Sequence, residues 1–390
     1  MLILPEIMWA LIFWAGSLTI LFVYAGFLLL LKLLDKMIHR FNQYNNGESY
    51  NKLPEVQIII PCYNEADIIE MSIKDKLGQD YPNEKLTILV ISDGSTDNSN
   101  QIVNQLSENY ENVKLFPIET NYGKNNAINL AFNSGEFTGS LLCFTDVDTK
   151  FEPGILARAA RIFDNPKVGL VGGKISYWLG SGSASQAEGV FWRIENSIRE
   201  AEGHLGWLVS CPGQFIMMRR ELFQTLPPEV NTDFAMPLMV LAQGYATIFD
   251  KEAKVRSLFP SNQKAILRRR HRTIIRSLTT ISLYRQKLPW RLRQVLFWHK
   301  TARFYAFPMQ VAVFIANLAL LPTSSFWLAL FLAQMIFYGL AGLGGLFDFL
   351  HIKAPFVHLP YQFTLQNAVA FTAVMAFLSG KRVAKWTPPR

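Results

Sequence analysis

Three acidic positions stand where a carboxylate could do chemistry. Asp93 opens the run Asp93-Gly94-Ser95-Thr96-Asp97. Asp and Ser favour turns and helix caps, so this run alone reads equally well as a turn. Asp146 and Asp148 flank a single Val147. That spacing can hold a hard cation with few protein ligands, because Mg2+ keeps waters and takes one or two carboxylates plus phosphate oxygens. An Asp-x-Asp is common by chance, so its weight depends on where it falls. Asp233, in Asn231-Thr232-Asp233-Phe234, precedes a helical apolar pattern through Leu238 and Leu241 that ends at Gly244. Thr232 or Asp233 can cap that helix, and the field at a helix N-terminus favours an ionised carboxylate. A general base has to be ionised, so cap and base are compatible readings.

These residues need elements to hold them. Residues 56–60 are a β-branched run broken only by Gln57, the pattern of a strand buried on both faces. A helical pattern over 66–77 follows, then a strand at 86–91, a helix at 98–106 and a strand at 113–116. A helix at 125–132 and a strand at 141–144 continue the alternation. This rhythm predicts an α/β fold: a mostly parallel sheet, right-handed crossovers and helices on both faces. Ligands bind such sheets at the carboxyl ends of the strands. Asp93 and Asp146 each fall just after a predicted strand, where that rule places a site.

The two ends of the chain differ from this middle. Half of the 390 residues are hydrophobic and 17% are charged, and the apolar excess lies at the ends. Residues 7–31 carry no charge and exceed the roughly 20 residues that cross a bilayer core. A cleaved signal peptide has a shorter apolar core and a basic start, so this stretch reads as a retained transmembrane helix. Lys32, Lys36, Arg40 and Lys52 follow it, which orients its C-terminal side to the cytoplasm. Beyond residue 300, apolar stretches at 304–321, 326–347 and 363–378 read as further membrane helices. Lys381, Arg382, Lys385 and Arg390 favour an inside tail, whereas four full crossings would place it outside. Residues 347–361, with His351, Lys353 and Pro355, are the place for a re-entrant or interfacial stretch.

Residues 264–303 hold many Lys and Arg and no Asp or Glu, with Trp290, Phe297 and Trp298 interleaved. A basic, aromatic stretch beside a membrane helix reads as lying on an anionic membrane surface. The net charge of +8 is better explained by that surface, with nucleic-acid binding kept as a minor alternative. Cys62, Cys143 and Cys211 are few and far apart, which suits a reducing cytoplasm, and no His/Cys spacing resembles a zinc site.

Taken in order, the motifs give the chain a wider likeness. It resembles the family 2 glycosyltransferases of the membrane-bound bacterial type, which have a GT-A (Rossmann-like) fold. The resemblance covers nearly the whole chain. It rests on Ile58-Ile59-Ile60-Pro61-Cys62-Tyr63-Asn64-Glu65, the Asp93 to Asp97 turn, and Asn121-Tyr122-Gly123-Lys124-Asn125-Asn126-Ala127-Ile128-Asn129. Asp146-Val147-Asp148, Arg219-Arg220-Glu221-Leu222-Phe223 after Gly213, and Thr232-Asp233 with Gly244-Tyr245 complete it. Each motif is modest, but their order and spacing together are specific. The resemblance implies that Pro61, Tyr63, Glu65 and Asp93 line the nucleotide pocket, with Asp93 near the base and Lys124 beside it. Asp146 would contact the ribose or sugar, and Asp148 would bind Mg2+ or Mn2+. Asp233 would take the proton of the acceptor hydroxyl.

Two departures matter. Thr232 stands where the family usually has Glu. Processive members carry Gln-x-x-Arg-Trp near the membrane, and in Arg268-Arg269-Arg270-His271-Arg272-Thr273 the Gln is Arg269 and the Trp is Thr273. The Trp that stacks on the acceptor sugar is thus missing, which argues against repeated elongation. Arg269 and Arg272 are candidates to stabilise the leaving diphosphate, beside the plainer reading of a basic membrane-facing helix. Trp192 and Trp207 are candidates for the acceptor cleft, with core packing favoured for at least one. His204 shows no partner in the sequence and reads as structural.

The expected organisation is a transmembrane helix over 1–35, a cytoplasmic GT-A domain over 53–260, a basic amphipathic segment over 261–303, a transmembrane region over 304–380 and a basic tail over 381–390. The expected activity is inverting, metal-dependent, non-processive transfer from a nucleotide-sugar to a lipid-linked or glycan acceptor. The setting is cell-envelope glycan synthesis at a bacterial inner membrane, with membrane lipids as partners and no nucleic acid. Alternatives are a processive polysaccharide synthase, a polyprenyl-phosphate sugar transferase, or a catalytically silent membrane scaffold. Asp93, Asp146, Asp148 and Asp233 together count against the scaffold. A dinucleotide-binding oxidoreductase fits poorly, because no Gly-x-Gly-x-x-Gly follows the first strand.

Overall fold

The structure is a computed structural model that describes residues 4–38, 53–178, 183–258, 263–350, 352 and 354–384. Arg40, Lys52, His351, Lys353, Lys385 and Arg390 lie outside the described residues. The strands are β1 (Val56–Cys62), β2 (Leu86–Asp93), β3 (Val113–Ile118), β4 (Leu141–Phe144), β5 (Lys150–Phe151), β6 (Val168–Trp178), β7 (Ile216–Arg219) and β8 (Ala246–Leu258). They form one sheet in the order β3-β2-β1-β4-β7-β6-β8-β5. The predicted strands β1 to β4 all pair in parallel. Beyond them β7 runs antiparallel between β4 and β6, β8 is parallel to β6, and β5 lies antiparallel on β8. The sheet is therefore mixed, with a parallel half that was legible and a second half that was not.

Side chains alternate across this sheet as period two requires. Val56, Ile58 and Ile60 of β1 pack on one face with Leu86, Ile88 and Val90 of β2, while Ile59, Leu89 and Ile91 face the other. The buried Gln57 is satisfied without a ladder partner: its amide donates to the Glu136 carbonyl at 2.8 Å and its oxygen accepts the Thr138 N–H at 2.9 Å. Strand and following loop are thus fixed together.

The first helix runs Leu4–Ile38, with α1 (Leu4–Leu21) and α2 (Phe27–Ile38) joined by a π-helical turn, Phe22–Gly26. Helices α3 (Ile69–Leu77), α4 (Ser99–Asn109) and α6 (Ile155–Ile162) cover one sheet face. Helices α5 (Lys124–Asn133), α7 (Ser183–Leu205) and α8 (Thr232–Ala242) cover the other. Then come α9 (Gln263–Tyr284), α10 (Trp290–Leu296), a second π-helical turn (Phe297–Thr301) and α11 (Ala302–Phe304). The chain ends in α12 (Ala306–Leu320), α13 (Ser325–Phe349) and α14 (Pro355–Leu378).

Among the described residues, three helices are long and apolar enough to cross a membrane: Leu4–Ile38, Ala306–Thr323 and Ser325–Phe349. The fourth expected span differs. The helix begins at Pro355, eight residues before the apolar stretch, and the interruption after α13 is only residues 350–354. The first half of its buried side is polar, with His358, Gln362 and Asn367, while Phe356, Leu359, Met375 and Leu378 point outward. Its Ala370, Ala373 and Val374 pack on Ile274, Ile275 and Leu278 of α9. The first helix also departs from a plain span. Its 35 residues extend about 52 Å, well beyond a hydrocarbon core of about 30 Å. The surplus is used for docking: Phe27 and Leu31 are buried with Ile198, Ala201 and Leu205 of α7.

Candidate functional site

The loops at the carboxyl ends of β1 and β2 are tied to each other. Asn64 adopts φ 54°, a left-handed conformation that Asn tolerates better than most residues. There its side-chain oxygen accepts the Thr96 N–H at 2.7 Å, and its own N–H reaches the Ser95 hydroxyl at 3.1 Å. Asp97 accepts the N–H groups of Ala66 and Ser99, each at 3.0 Å, so it does the work of a turn and cap. Asp93 is buried, and its two oxygens accept the N–H groups of Tyr122 and Gly123, each at 2.8 Å. Gly94, at φ 72°, must be glycine, since a Cβ would lie 2.4 Å from the Asn121 nitrogen. Pro61, paired with Ile91, and Tyr63 stand half-buried at the end of β1.

Asp93 thereby fixes the start of α5, and α5 supplies the centre of the site. Lys124, its first residue, holds Asp146 at 2.5 Å, both side chains being about one-third exposed. The Lys124 charge also reaches Asp148 and Asp233. Asn125 bonds the carbonyls of Pro227 and Val230, each at 2.9 Å, and receives the Thr232 hydroxyl at 2.7 Å. Two adjacent residues thus join the β4 loop to the start of α8.

The loop after β4 is pinned from below by α3. The fully buried Lys76 donates to the Thr149 carbonyl, and Asp75 accepts the Phe151 N–H at 2.9 Å. Asp148 stands exposed at the cleft with one oxygen accepting the Ser257 hydroxyl at 2.8 Å. Surrounding protein, and next the Asp146 charge, push its carboxyl above the ordinary carboxylate range. Glu65 is raised in the same way, first by desolvation and then by Asp148, Asp97 and Asp146. Such crowding of negative charge is what a divalent cation relieves, so the donor set fits a hard metal ion at Asp148. No group of three His, Cys, Asp or Glu among the described residues converges as a metal cage. An ion completed by phosphate oxygens and water needs none.

Asp233 is the second residue of α8, after Asn231 as N-cap. Pro237 lies four residues on and has no N–H, so the Asp233 carbonyl is left for the Cys211 N–H at 3.2 Å. That bond ties Asp233 to the loop carrying Gly213. Asn231 is clamped by α9 through the Thr273 carbonyl at 3.0 Å and the hydroxyls of Ser277 and Thr280 at 2.9 and 3.2 Å. Burial raises the Asp233 carboxyl above its ordinary range, against the cations Lys124 and Arg199. A carboxylate made more basic in this way is better suited to accept a proton.

The remaining predicted residues divide. The Arg269 charge reaches Asp148, which places it on the cleft side of α9. Burial, then Arg276 and Arg269, push Arg272 down to about 10. Trp192 is partly buried under the Arg199 guanidinium, 5.4 Å from its ring centre. Trp207 follows α7, bridges Thr247 and packs against the core, as a packing residue would. His204 has a partner that the sequence could not show, Asp35 of α2 at 2.8 Å. Sequence reasoning passed over Lys76, Asn125, Arg199 and Arg276. Arg276 bonds the Val230 carbonyl at 3.2 Å and its charge reaches Asp233. Only the basic character of its helix was a signal, and four arginines before it shared that.

Known proteins resemble this chain in sequence and in fold. The profile of Glycosyl transferase family 2 matches residues 57–226, and that of Glycosyl transferase family group 2 matches residues 142–341, more than half of the chain. The probable glycosyltransferase YdaM of Bacillus subtilis is 32% identical over 131 residues, 33% of this chain and 31% of that protein. An N-acetylglucosaminyltransferase of Rhizobium leguminosarum bv. viciae is 27% identical over 239 residues, 57% of this chain and 55% of its own length. The chain therefore spans between about a third and about half of these curated relatives. Among solved structures, the mannosyltransferase PcManGT from Pyrobaculum calidifontis, in complex with GDP-Man and Mn2+, superposes with a TM-score of 0.68. That likeness covers 97% of this chain and 100% of the other at 19% identity, and it is one of fold. The first profile runs through Asp93, Asp146 and Asp148 and the second through Asp146, Asp148 and Asp233, and the chain belongs to the family 2 glycosyltransferases.

Proposed function

We propose that this protein transfers one sugar, with inversion, from a nucleoside-diphosphate-sugar to a hydroxyl of a membrane-associated acceptor. The observation that carries the reading is the placement of Lys124, which touches Asp146 while its charge reaches both Asp148 and Asp233. This supports a reading in which donor, metal and base residues share one cleft. In this reading Pro61, Tyr63, Glu65 and Asp93 frame the nucleotide, and Lys124 and Asp146 orient its sugar-phosphate part. Asp148 would hold Mg2+ or Mn2+, which neutralises the diphosphate as charge develops on it. Asp233 accepts the acceptor proton as the hydroxyl attacks. Arg269 and Arg272 face the departing diphosphate from α9.

Thr273 supports single rather than repeated transfer. Its carbonyl lies beside Asn231, two residues from the base, and its side chain offers no aromatic face to a sugar chain. The three apolar helices support action at a membrane. Three crossings with residues 53–260 in the cytoplasm return the chain to that side after α13. The basic tail then stays inside with no conflict of charge, and α14 lies against α9 at the same face. We read the acceptor as lipid-linked or a glycan, and the setting as the inner membrane of a bacterium.

The test is nucleoside-diphosphate release by the full chain in nanodiscs of native lipid. The relatives' names point to N-acetylglucosaminyl and mannosyl transfer, so the panel must include UDP- and GDP-sugars with Mg2+ or Mn2+. Metal-dependent release from one donor supports the proposal and identifies the sugar. Metal-dependent donor binding without release points to a missing acceptor. No binding and no release would leave the scaffold reading.

A further inference from the structure

Where the apolar helices meet the catalytic domain, polar side chains converge from four elements. Phe27 of the first helix is already buried in the catalytic core, so the π-helical turn before it lies where the helix begins to dock on that domain. Tyr24 lies in that turn, at the headgroup level where tyrosines concentrate in membrane proteins. Turns of this kind occur frequently at functional sites. The Tyr24 hydroxyl donates to the Asn367 oxygen of α14 at 2.6 Å. Arg303 of α11, three residues before the second span, sets its guanidinium 5.9 Å from the centre of the Tyr24 ring. The charge of Arg270 of α9 reaches the same hydroxyl.

This cluster holds unused donors. Asn367 is 3% exposed, and its amide nitrogen has no hydrogen-bond partner. The Arg303 Nε is likewise buried without an acceptor, although another of its nitrogens bonds Glu195 at 2.9 Å. Glu195 also serves Lys300 at 2.5 Å and Arg199 at 3.4 Å, so three cations share one carboxylate. Buried donors without acceptors are costly, so a ligand that supplies acceptor oxygens is favoured there. Guanidinium and amide donors around a point short of negative charge match a phosphate.

We propose that Tyr24, Asn367 and Arg303 form a binding site for the phosphate headgroup of a membrane lipid. The proposal rests on the acceptor being lipid-linked, because α9 and α7 carry the site's partners on to Asn231 and Arg199 beside Asp233. The phosphate belongs either to the acceptor lipid or to a bilayer phospholipid, and the two are separable.

Full-length protein in detergent would be titrated by native mass spectrometry with geranyl phosphate and with phosphatidylglycerol. Geraniol and dioleoylglycerol serve as controls without phosphate. Both phosphate lipids should bind and compete, and the controls should not. The paired change Tyr24→Phe and Asn367→Leu removes both partners of the hydroxyl–amide bond at once. It should weaken binding about tenfold or more, as expected for hydrogen bonds to a charged group. Mn2+-dependent binding of UDP or GDP should be unchanged in that variant. Phosphatidylglycerol binding alone would support the headgroup site and remove the acceptor from it. Headgroup binding without nucleotide binding would support this site while the catalytic reading fell. Equal binding of geraniol, or wild-type affinity in the paired variant, would overturn the proposal.

Discussion

Replacing Asp233 by Asn isolates the proposed chemical step. Among the described residues, none of the hydrogen bonds that hold residue 233 uses its carboxylate. Its carbonyl takes the Cys211 N–H, Thr232 takes Asn125, and Asn231 takes α9. The amide is isosteric, so the start of α8 should stay in place and the donor pocket around Lys124 with it. What disappears is a carboxylate raised in basicity by burial. General-base catalysis contributes roughly 10²–10⁴ in rate, or about 2.7–5.5 kcal/mol. We expect kcat to fall by roughly that factor, with the donor Kd unchanged in calorimetry with Mn2+. The pH profile gives a second readout. A base acts when deprotonated, and its folded value lies above the ordinary 3.8, so wild-type activity should fall as pH drops through that raised value. The residual activity of Asp233→Asn should lack this acid limb. A variant with near wild-type kcat, with the acid limb retained, or with donor binding lost would refute the assignment.

Four further outcomes follow from the same geometry. Lys124→Met removes the cation that most lowers the Asp233 value, so the acid limb should move to higher pH; an unmoved limb would place Lys124 too far away to matter. Asp148→Ala should abolish the difference between nucleotide affinities measured with and without Mn2+, and a difference that survives would move the metal elsewhere. Gly94→Ala must displace the 120–121 backbone, 2.4 Å from the new Cβ, and should lower both melting temperature and nucleotide affinity. Glu195→Gln leaves Lys300, Arg303 and Arg199 without their shared carboxylate and should cost roughly 3–5 kcal/mol in chemical unfolding. Burial alone would raise the Glu195 carboxyl, but Lys300, His299 and Arg199 hold it well below the ordinary 4.5. Its stabilisation is therefore present above pH 4.5 and lost only as pH falls through that lower value.

The sequence alone determined the parallel half of the sheet. Period-two burial and the turn chemistry after each strand are local, so β1 to β4 and α3 to α5 could be read from short windows. The same holds for Asp93, Asp146 and Asp233, whose placement follows from strand ends and a helix start. Strands β5 and β7 resisted, because β5 is two residues long and β7 is four, and both are defined by partners far along the chain. The apolar count did not show that α14 buries His358, Gln362 and Asn367, because only packing reveals which way a helix turns. His204 with Asp35, Glu195 with Arg303 and Tyr24 with Asn367 lie 169, 108 and 343 residues apart. No local pattern encodes such pairs. Tertiary structure alone decided which cations surround Asp233 and which polar groups meet Tyr24, since a buried charge selects its neighbours in space rather than in sequence.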